Sequence, residues 1–469
     1  MGENMAVADL AFRPMHELMP AIGEGRLSPI AVTESCLDRI QRFDGKLHAF
    51  VAVYAKDARL AAEAADKAIR SGHRIGPLHG LPIAFKDLVD LEGRVTTGGS
   101  RYWEKRVSPV TATLARKAIA AGMIVIGKTH TVEFAFGSWG TNEHLGAPWN
   151  PWDDKLQRTP GGSSSGSGVA VGAGLVPAAI GTDTGGSVRV PAAWCGHVGL
   201  KVTIGRISTY GVLPLSTTLD TPGPMVHSVE DAAILLELFQ GPDENDPQTL
   251  RLPRADALSG LKRGVRGLRL ARMPAAERQG CEPEVLAAYD ASLEKLAALG
   301  AEIVEARLPS SLADYAAATG RIISSEGYRF LAELVDNMNL PLDSAVRPRV
   351  LAGKGVSARD YLLTMAERDA RKRAYLAAMA GIDALLTPTC QTVAIPLTSV
   401  DQGKTAAYFT RPVNYLEQCA LSLPNGFTAG GLPTALQVVA RGGDEAMALR
   451  IGWAYEQATD WHRRRPPGL

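Results

Sequence analysis

Two glycine- and serine-rich stretches hold the residues best able to do chemistry: Gly161-Gly-Ser-Ser-Ser-Gly-Ser-Gly168 and Gly181-Thr-Asp-Thr-Gly-Gly-Ser-Val-Arg189. Each sets hydroxyls beside backbone N–H groups that small side chains leave open. Nucleophilic acyl transfer needs that combination, an attacking oxygen and fixed donors for the oxyanion that develops. A Gly/Ser tract is ordinarily a linker. Here the first tract runs directly into Val169-Ala-Val-Gly-Ala-Gly-Leu175, whose small apolar residues suit a closely packed buried helix. It is therefore read as a loop that opens a helix, with unpaired N–H groups at the positive end. In the second tract Gly185 and Gly186 allow close backbone approach to a ligand, with a purely structural turn as the alternative.

A serine hydroxyl is a poor nucleophile without a base. No histidine accompanies a G-x-S-x-G elbow, and no Ser-His-Asp order is evident. Lys86 closes the apolar run Pro82-Ile-Ala-Phe-Lys86. Burial there would disfavour the ammonium and bring a pKa that starts near ~10.4 down by several units, leaving an amine able to take a proton. The bland alternatives are a lysine snorkelling to the surface or paired with Asp87. Two further motifs are set aside. Gly122-Met-Ile-Val-Ile-Gly-Lys-Thr129 matches the phosphate-loop pattern, but its bulky apolar positions make a strand. Cys195-Gly-His197 is read as core packing rather than thiol or metal chemistry. No cofactor and no metal are expected.

The elements that must position these groups alternate. Up to residue 72 the chain reads as N-terminal helices, with Ser28-Pro29 as a helix start and Ala55 to Ile69 as a second helix. A catalytic core over 73–240 follows, with strands at Leu81 to Phe85 and Met123 to Ile126, a helix at Thr111 to Ala121, and a strand entered from Leu175 to Gly181. Beyond a polar segment at 241–267, strands are expected at Leu268 to Ala271 and at Ile303-Val304. Between them Val285, Tyr289, Leu293, Leu296 and Leu299 make a helical stripe. Residues 310–380 read as a helical cap on the substrate side, and the sheet resumes at Ala384 to Thr387, Leu421 to Leu423 and Ala435 to Val439. The expectation is an α/β fold over 1–469, one large domain with a mixed, mostly parallel sheet covered by helices on both faces.

The bulk numbers agree. The chain has 469 residues, 46% of them hydrophobic and 21% charged, enough for an extensive core. Fifty basic against forty-nine acidic residues give a net charge of +1, so no nucleic-acid partner is announced. Five cysteines lie scattered without a CxxC pair, which excludes a disulfide framework and fits a reducing compartment. Met1 to Arg13 lacks the design of a signal peptide, and Val169 to Ile180 is far too short to span a membrane. A cytoplasmic protein without a membrane partner, a monomer or homodimer, is expected.

Taken together, these motifs resemble the amidase signature hydrolases. The two Gly/Ser tracts, extended to Pro191, and Leu78-His-Gly-Leu-Pro-Ile-Ala-Phe-Lys-Asp87 are similar to that family's signature and lysine segments, with Lys86, Ser163 and Ser187 spaced 77 and 24 positions apart. The resemblance covers about residues 20–240 and returns in 388–441 and 454–457. It implies Ser187 as nucleophile, Ser163 as a bridging serine held by a cis peptide bond, and Lys86 as the ultimate base. It further implies an oxyanion hole of the backbone N–H groups of Thr184, Gly185, Gly186 and Ser187. Asp183 and Arg189 are read as holding the loop.

The expected reaction is hydrolysis of a carboxamide or related C–N acyl bond in a small amide, anilide, ester or carbamate. Phe134, Phe136, Trp139, Trp149 and Trp152 precede the first serine tract and are candidates to line the substrate pocket, loop and core packing being the alternative. Lined that way, the pocket would favour bulky apolar or aromatic substrates. One rival is the glutaminase component of a tRNA-dependent amidotransferase. Asn414 to Ala420 and Leu432 to Gln437 depart from the patterns expected of such a component, and 340–380 lacks its glutamine-binding resemblance. The other rival is a non-enzymatic anion-binding module.

Overall fold

The structure is a computed structural model and describes residues 7–469. The first six residues of the expected 1–72 segment, and of the stretch read for a leader, lie outside the described residues. The N-terminal segment forms where its local signals place it. Ser28 accepts a hydrogen bond from the N–H of Ile30 and opens the helix Pro29–Leu47, and Ala55–Arg70 is the second helix. It is not wholly helical, however. β1 (Phe50–Val53), too short to show a period, adds an edge strand to the sheet.

The sheet continues with β2 (Pro82–Lys86), β3 (Ile124–Thr129), β4 (Ala178–Asp183), β5 (Val198–Lys201) and β6 (Thr221–Val226). It is completed by β7 (Arg269–Arg272), β8 (Glu302–Glu305), β9 (Ala384–Pro388), β10 (Cys419–Phe427) and β11 (Pro433–Ala440). The eleven strands form one sheet in the order β1-β3-β2-β4-β6-β5-β10-β11-β9-β7-β8. Helices flank it in a single α/β domain. The expectation of a mostly parallel sheet needs correction. Parallel pairing is confined to two blocks, β3-β2-β4 and β9-β7-β8, and six of the ten neighbouring pairs are antiparallel. The reason lies in the middle strands: β10 and β11 form a hairpin, and β5 and β6 pair antiparallel with each other and with their outer neighbours, none of which needs a crossover helix.

The glycine-serine tract packs as read. The helix Ser165–Gly172 is buried along its whole length. A Cβ at Gly166 would run into the carbonyl of Ala49 and the N–H of His130, so only glycine lets this helix lie so close to its neighbours. Gly122 to Thr129, the phosphate-loop lookalike, leads into and forms β3. Cys195 and His197 are buried where the helix Arg189–Cys195 turns into β5. Residues 310–380 supply the helices Leu312–Val335, Val346–Leu351 and Ala358–Ala378. No described helix is long and apolar enough to cross a membrane.

Candidate active site

Lys86 is the last residue of β2, between β3 and β4, and its side chain is fully buried. Its Nζ donates to Ser163 Oγ at 2.6 Å and to Thr182 Oγ1, on β4, at 2.8 Å. No carboxylate pairs with it among the described residues. Burial lowers its pKa to about 7, against a smaller opposing pull from Asp220 and Asp183. The peptide bond between Gly162 and Ser163 is cis.

Ser187 lies on the loop that leaves β4, and the carbonyl of Ser187 accepts the N–H of Ser164 at 3.3 Å, which ties the two serine tracts together. The hydroxyls of Ser163 and Ser187 make no hydrogen bond to each other. Catalytic contacts of this kind commonly tighten in the substrate complex. The loop is held by Asp183. Its Oδ1 accepts the N–H of Gly186 at 2.8 Å, its Oδ2 the N–H of Val188 at 3.2 Å, and Arg189 grips both oxygens at 2.9 and 3.0 Å. Arg189 in turn donates to Gln437 Oε1 and Asn414 Oδ1, each at 2.7 Å. Burial pushes the Asp183 carboxyl up, but Arg189 and its other donors outweigh it and hold the pKa at about 2.

That network changes the expected oxyanion hole. The N–H of Gly186 is engaged by Asp183, leaving those of Thr184, Gly185 and Ser187 without a partner among the described residues. Gly186 itself has φ +134°, and a Cβ there would strike Thr410, so the turn admits no other residue.

The aromatic candidates divide. Phe136 lines the cavity at Ser187. Phe134 turns into the main core, edge-on to Trp103 at 5.1 Å. Trp139 stacks on Trp194 at 5.8 Å and donates its Nε1–H to the carbonyl of Lys404. Trp149 lies beneath Lys46 in a separate surface depression with Phe43 and Leu469. Trp152 packs on Phe427 and donates to the carbonyl of Cys195. Four of the five candidates, Phe134, Trp139, Trp149 and Trp152, therefore face elsewhere. Each either packs its ring into a core cluster or finds a carbonyl for its indole N–H away from the cavity.

What the aromatics do not supply, two arginines do. Arg349, from the helix Val346–Leu351, and Arg411, which begins the helix Arg411–Tyr415, both line this cavity, with Leu215 and Ile323. Sequence reasoning missed both, since an arginine on a helix gives no local sign that it faces inward. It also missed Asp220. That carboxylate accepts from Thr184 Oγ1 at 2.5 Å and from the N–H groups of Leu215 and Ser216 at 2.8 Å, and burial raises its pKa to about 6. Two positive-φ residues, Phe134 and Ala135, bend the chain at the cavity wall.

The arrangement can move a proton from a hydroxyl to a buried amine beside free N–H donors, the apparatus of acyl transfer. The amidase family pattern matches residues 31–449. The A-subunit of a Glutamyl-tRNA(Gln) amidotransferase from Geobacter metallireducens is 36% identical over 480 residues, covering 96% of this chain and 98% of that protein. A solved structure described as an amidase superposes with a TM-score of 0.84 at 32% identity, covering 95% of this chain and 99% of that one. The solved A-subunit of the Glutamyl-tRNA(Gln) amidotransferase from Thermotoga maritima gives 0.81 at 31% identity, covering 97% and 96%. Signature segments, fold and relatives agree: the chain belongs to the amidase signature family, enzymes that hydrolyse C–N bonds.

Proposed function

We propose that the chain hydrolyses a small carboxamide through an acyl-enzyme on Ser187. The observation that carries this reading is a fully buried lysine with no ion-pair partner, 2.6 Å from a serine hydroxyl in the Ser187 site. Neutral Lys86 accepts the proton of Ser163 Oγ, which accepts that of Ser187 Oγ as the latter attacks the carbonyl carbon. The N–H groups of Thr184, Gly185 and Ser187 hold the oxyanion. Its collapse breaks the C–N bond, and the proton returns from Lys86 through Ser163 to the leaving nitrogen. Water then attacks the ester by the same relay in reverse and frees Ser187. Asp183 and Arg189 position the loop and touch no reacting atom.

The cavity at Ser187, about 50 Å³, shares Ala135, Thr184 and Leu215 with a second cavity of about 210 Å³. Of the aromatic run only Phe136 lines the cavity at Ser187, so the ground for aryl amides and anilides falls away and an aliphatic amide is favoured.

A second reading is the glutaminase component of a tRNA-dependent amidotransferase, handing its ammonia to partner proteins and so working beside a nucleic acid. The near full-length match to the A-subunits of Glutamyl-tRNA(Gln) amidotransferases, at 36% identity for that of Geobacter metallireducens, supports it. The cavity weighs the other way. Glutamine carries an α-ammonium, and no carboxylate side chain lines the cavity to receive it.

The test is turnover of glutamine, a small aliphatic amide, an aryl amide, an ester and a carbamate by the purified chain, with Ser187→Ala as control. Aliphatic amide hydrolysis lost in the variant is the expected result. Glutamine turnover seen only when amidotransferase partner proteins are added transfers the assignment to the second reading. Activity that survives Ser187→Ala removes both.

A further inference from the structure

The two guanidinium groups at the cavity are not equivalent. Arg349 is held by the protein: Nη1 donates to the carbonyl of Phe136 at 2.8 Å, and Nη2 to the carbonyl and Oε1 of Gln402 at 2.8 and 2.7 Å. The guanidinium of Arg411 has no hydrogen-bond or ion-pair partner among the described residues. Only the backbone of Arg411 is engaged, its N–H by Ala407 and its carbonyl by Thr319. Its stem crosses the oxyanion loop. A Cβ built on Gly185 would lie 3.2 Å from Arg411 Cγ and 3.8 Å from Nε, which sets the guanidinium over the strand-to-loop turn that presents Ser187.

Five N–H donors left unpaired in a half-buried site are costly, and a second cation beside them adds to the cost. Burial, then the charge of Arg349, lowers the pKa of Arg411 to about 10. Proteins offset such a cost with a carboxylate, as Arg189 is offset by Asp183 a few residues away. No Asp or Glu lines this cavity, and Lys404, the third cation on its wall, is exposed and faces Asp401. The missing counter-charge must therefore come with the ligand, and a planar fork of donors is matched by a carboxylate.

We propose that the substrate is an amide bearing its own carboxylate and no ammonium group, and that Arg411 receives the carboxylate while Arg349 adds its field. This rests on the hydrolase reading and deepens it. Arg411 is thereby a specificity residue, not a member of the proton relay. The same arrangement disfavours glutamine, whose ammonium would enter a cationic cavity without an acceptor.

Three probes of equal chain length separate the terms: the monoamide of glutaric acid (anionic), pentanamide (neutral) and glutamine (zwitterionic). Hydrogen bonds to a charged group are worth enough to predict kcat/KM about 100-fold higher for the glutaric monoamide than for pentanamide. Arg411→Gln reduces that ratio at least about tenfold, mainly through KM, and Arg411→Lys restores part of it. Because no protein group depends on the guanidinium, Arg411→Gln melts no lower than wild type. A structural arginine would instead lower the Tm and weaken both substrates equally. Equal loss on both, no preference for the anion in wild type, or a preference for glutamine over the glutaric monoamide overturns the proposal while leaving amide hydrolysis intact. If wild type turns over none of the three, calorimetry with glutarate on Ser187→Ala decides. Binding that disappears in Ser187→Ala/Arg411→Gln sustains the anion site and removes the hydrolase reading, whereas no binding removes the anion site too.

Discussion

Two lysines, Lys86 on β2 and Lys128 on the neighbouring β3, are equally buried and lie one residue apart in register, yet the sequence context treats them in opposite ways. Lys128 donates to Asp87 Oδ1 at 3.2 Å and to Thr96 Oγ1 at 2.8 Å. Burial pushes its amine down and the Asp87 carboxyl up, and their mutual attraction opposes both shifts. Lys86, next to Asp87 in sequence, points instead to two hydroxyls and is left without an anion. Pairing with Asp87 was one of the bland alternatives for Lys86, and Lys128 takes that partner. One lysine is paired with a buried carboxylate, while the other meets hydroxyls alone. The difference between a paired and an unpaired buried amine is thus made by which side of a strand receives the carboxylate.

The sharpest way to break this comparison is to remove each amine in turn. Lys86→Ala should lower kcat/KM by about 10³-fold or more on any amide that wild type hydrolyses, within the range of a lost general base that acts as a unit with its serines. No ion pair is broken, so the folded state persists and circular dichroism should be unchanged. A loss below about tenfold would place the base elsewhere.

Lys128→Met should do the reverse. It strands Asp87 as an uncompensated buried carboxylate, which costs about 3–5 kcal/mol. Chemical denaturation should read that loss, with the kcat/KM of the remaining folded enzyme near that of wild type. Lys128→Met/Asp87→Asn should recover part of the stability, because the stranded charge goes with its partner. A Lys128→Met protein as stable as wild type would show that the pair holds nothing.

How much of this was legible in the sequence follows the range of each signal. The Ser28 cap, β2, β3, β4 and the strands after residue 260 were readable because apolar runs and caps are local. β6 was not, since Thr221-Pro-Gly-Pro-Met-Val226 carries two prolines and a glycine inside an internal strand, where the alphabet argues against one. The predominance of antiparallel pairs was invisible because strand order is a property of the assembled sheet. Lys86, Ser163 and Ser187 stood out through chemistry and the family's spacing. The aromatic run misled because the adjacency of Phe134 to Trp152 in sequence does not carry over into space: only Phe136 reaches the cavity, and its charged lining arrives from Arg349, Lys404 and Arg411, far along the chain. Asn414 and Gln437 lie in the stretches that looked unlike an amidotransferase component, and here they brace Arg189.

A smaller effect tests the protonation of Lys86 through stability. Its folded pKa, about 7, lies below its ordinary value of 10.5, so between those values the unfolded chain binds more protons than the folded one. Stability contributed by this residue therefore rises with pH across that window, and the cost of burying it is greatest below pH 7. Between pH 7 and 9, wild type should gain about 2–3 kcal/mol relative to Lys86→Met, which has no proton to lose. Parallel stability curves would mean that Lys86 keeps an ordinary lysine pKa and that its burial is met by a counter-charge.

The most modest expectation is also the most specific to mechanism. Only the neutral amine can accept the proton of Ser163, so kcat/KM should fall about tenfold for each pH unit below a pKa near 7 and level off above it. Asp220 titrates close by, with a pKa raised to about 6, and its loss of charge would push Lys86 further toward the neutral form in acid. The two titrations are coupled, so the limb should be shallower than a single ideal one where they overlap. Asp220→Asn removes the anion that favours the ammonium, and the limb should move to lower pH. A shift to higher pH, or a profile flat from pH 6 to 10 with chemistry rate-limiting, would take the relay away from Lys86 and leave it the same kind of residue as Lys128.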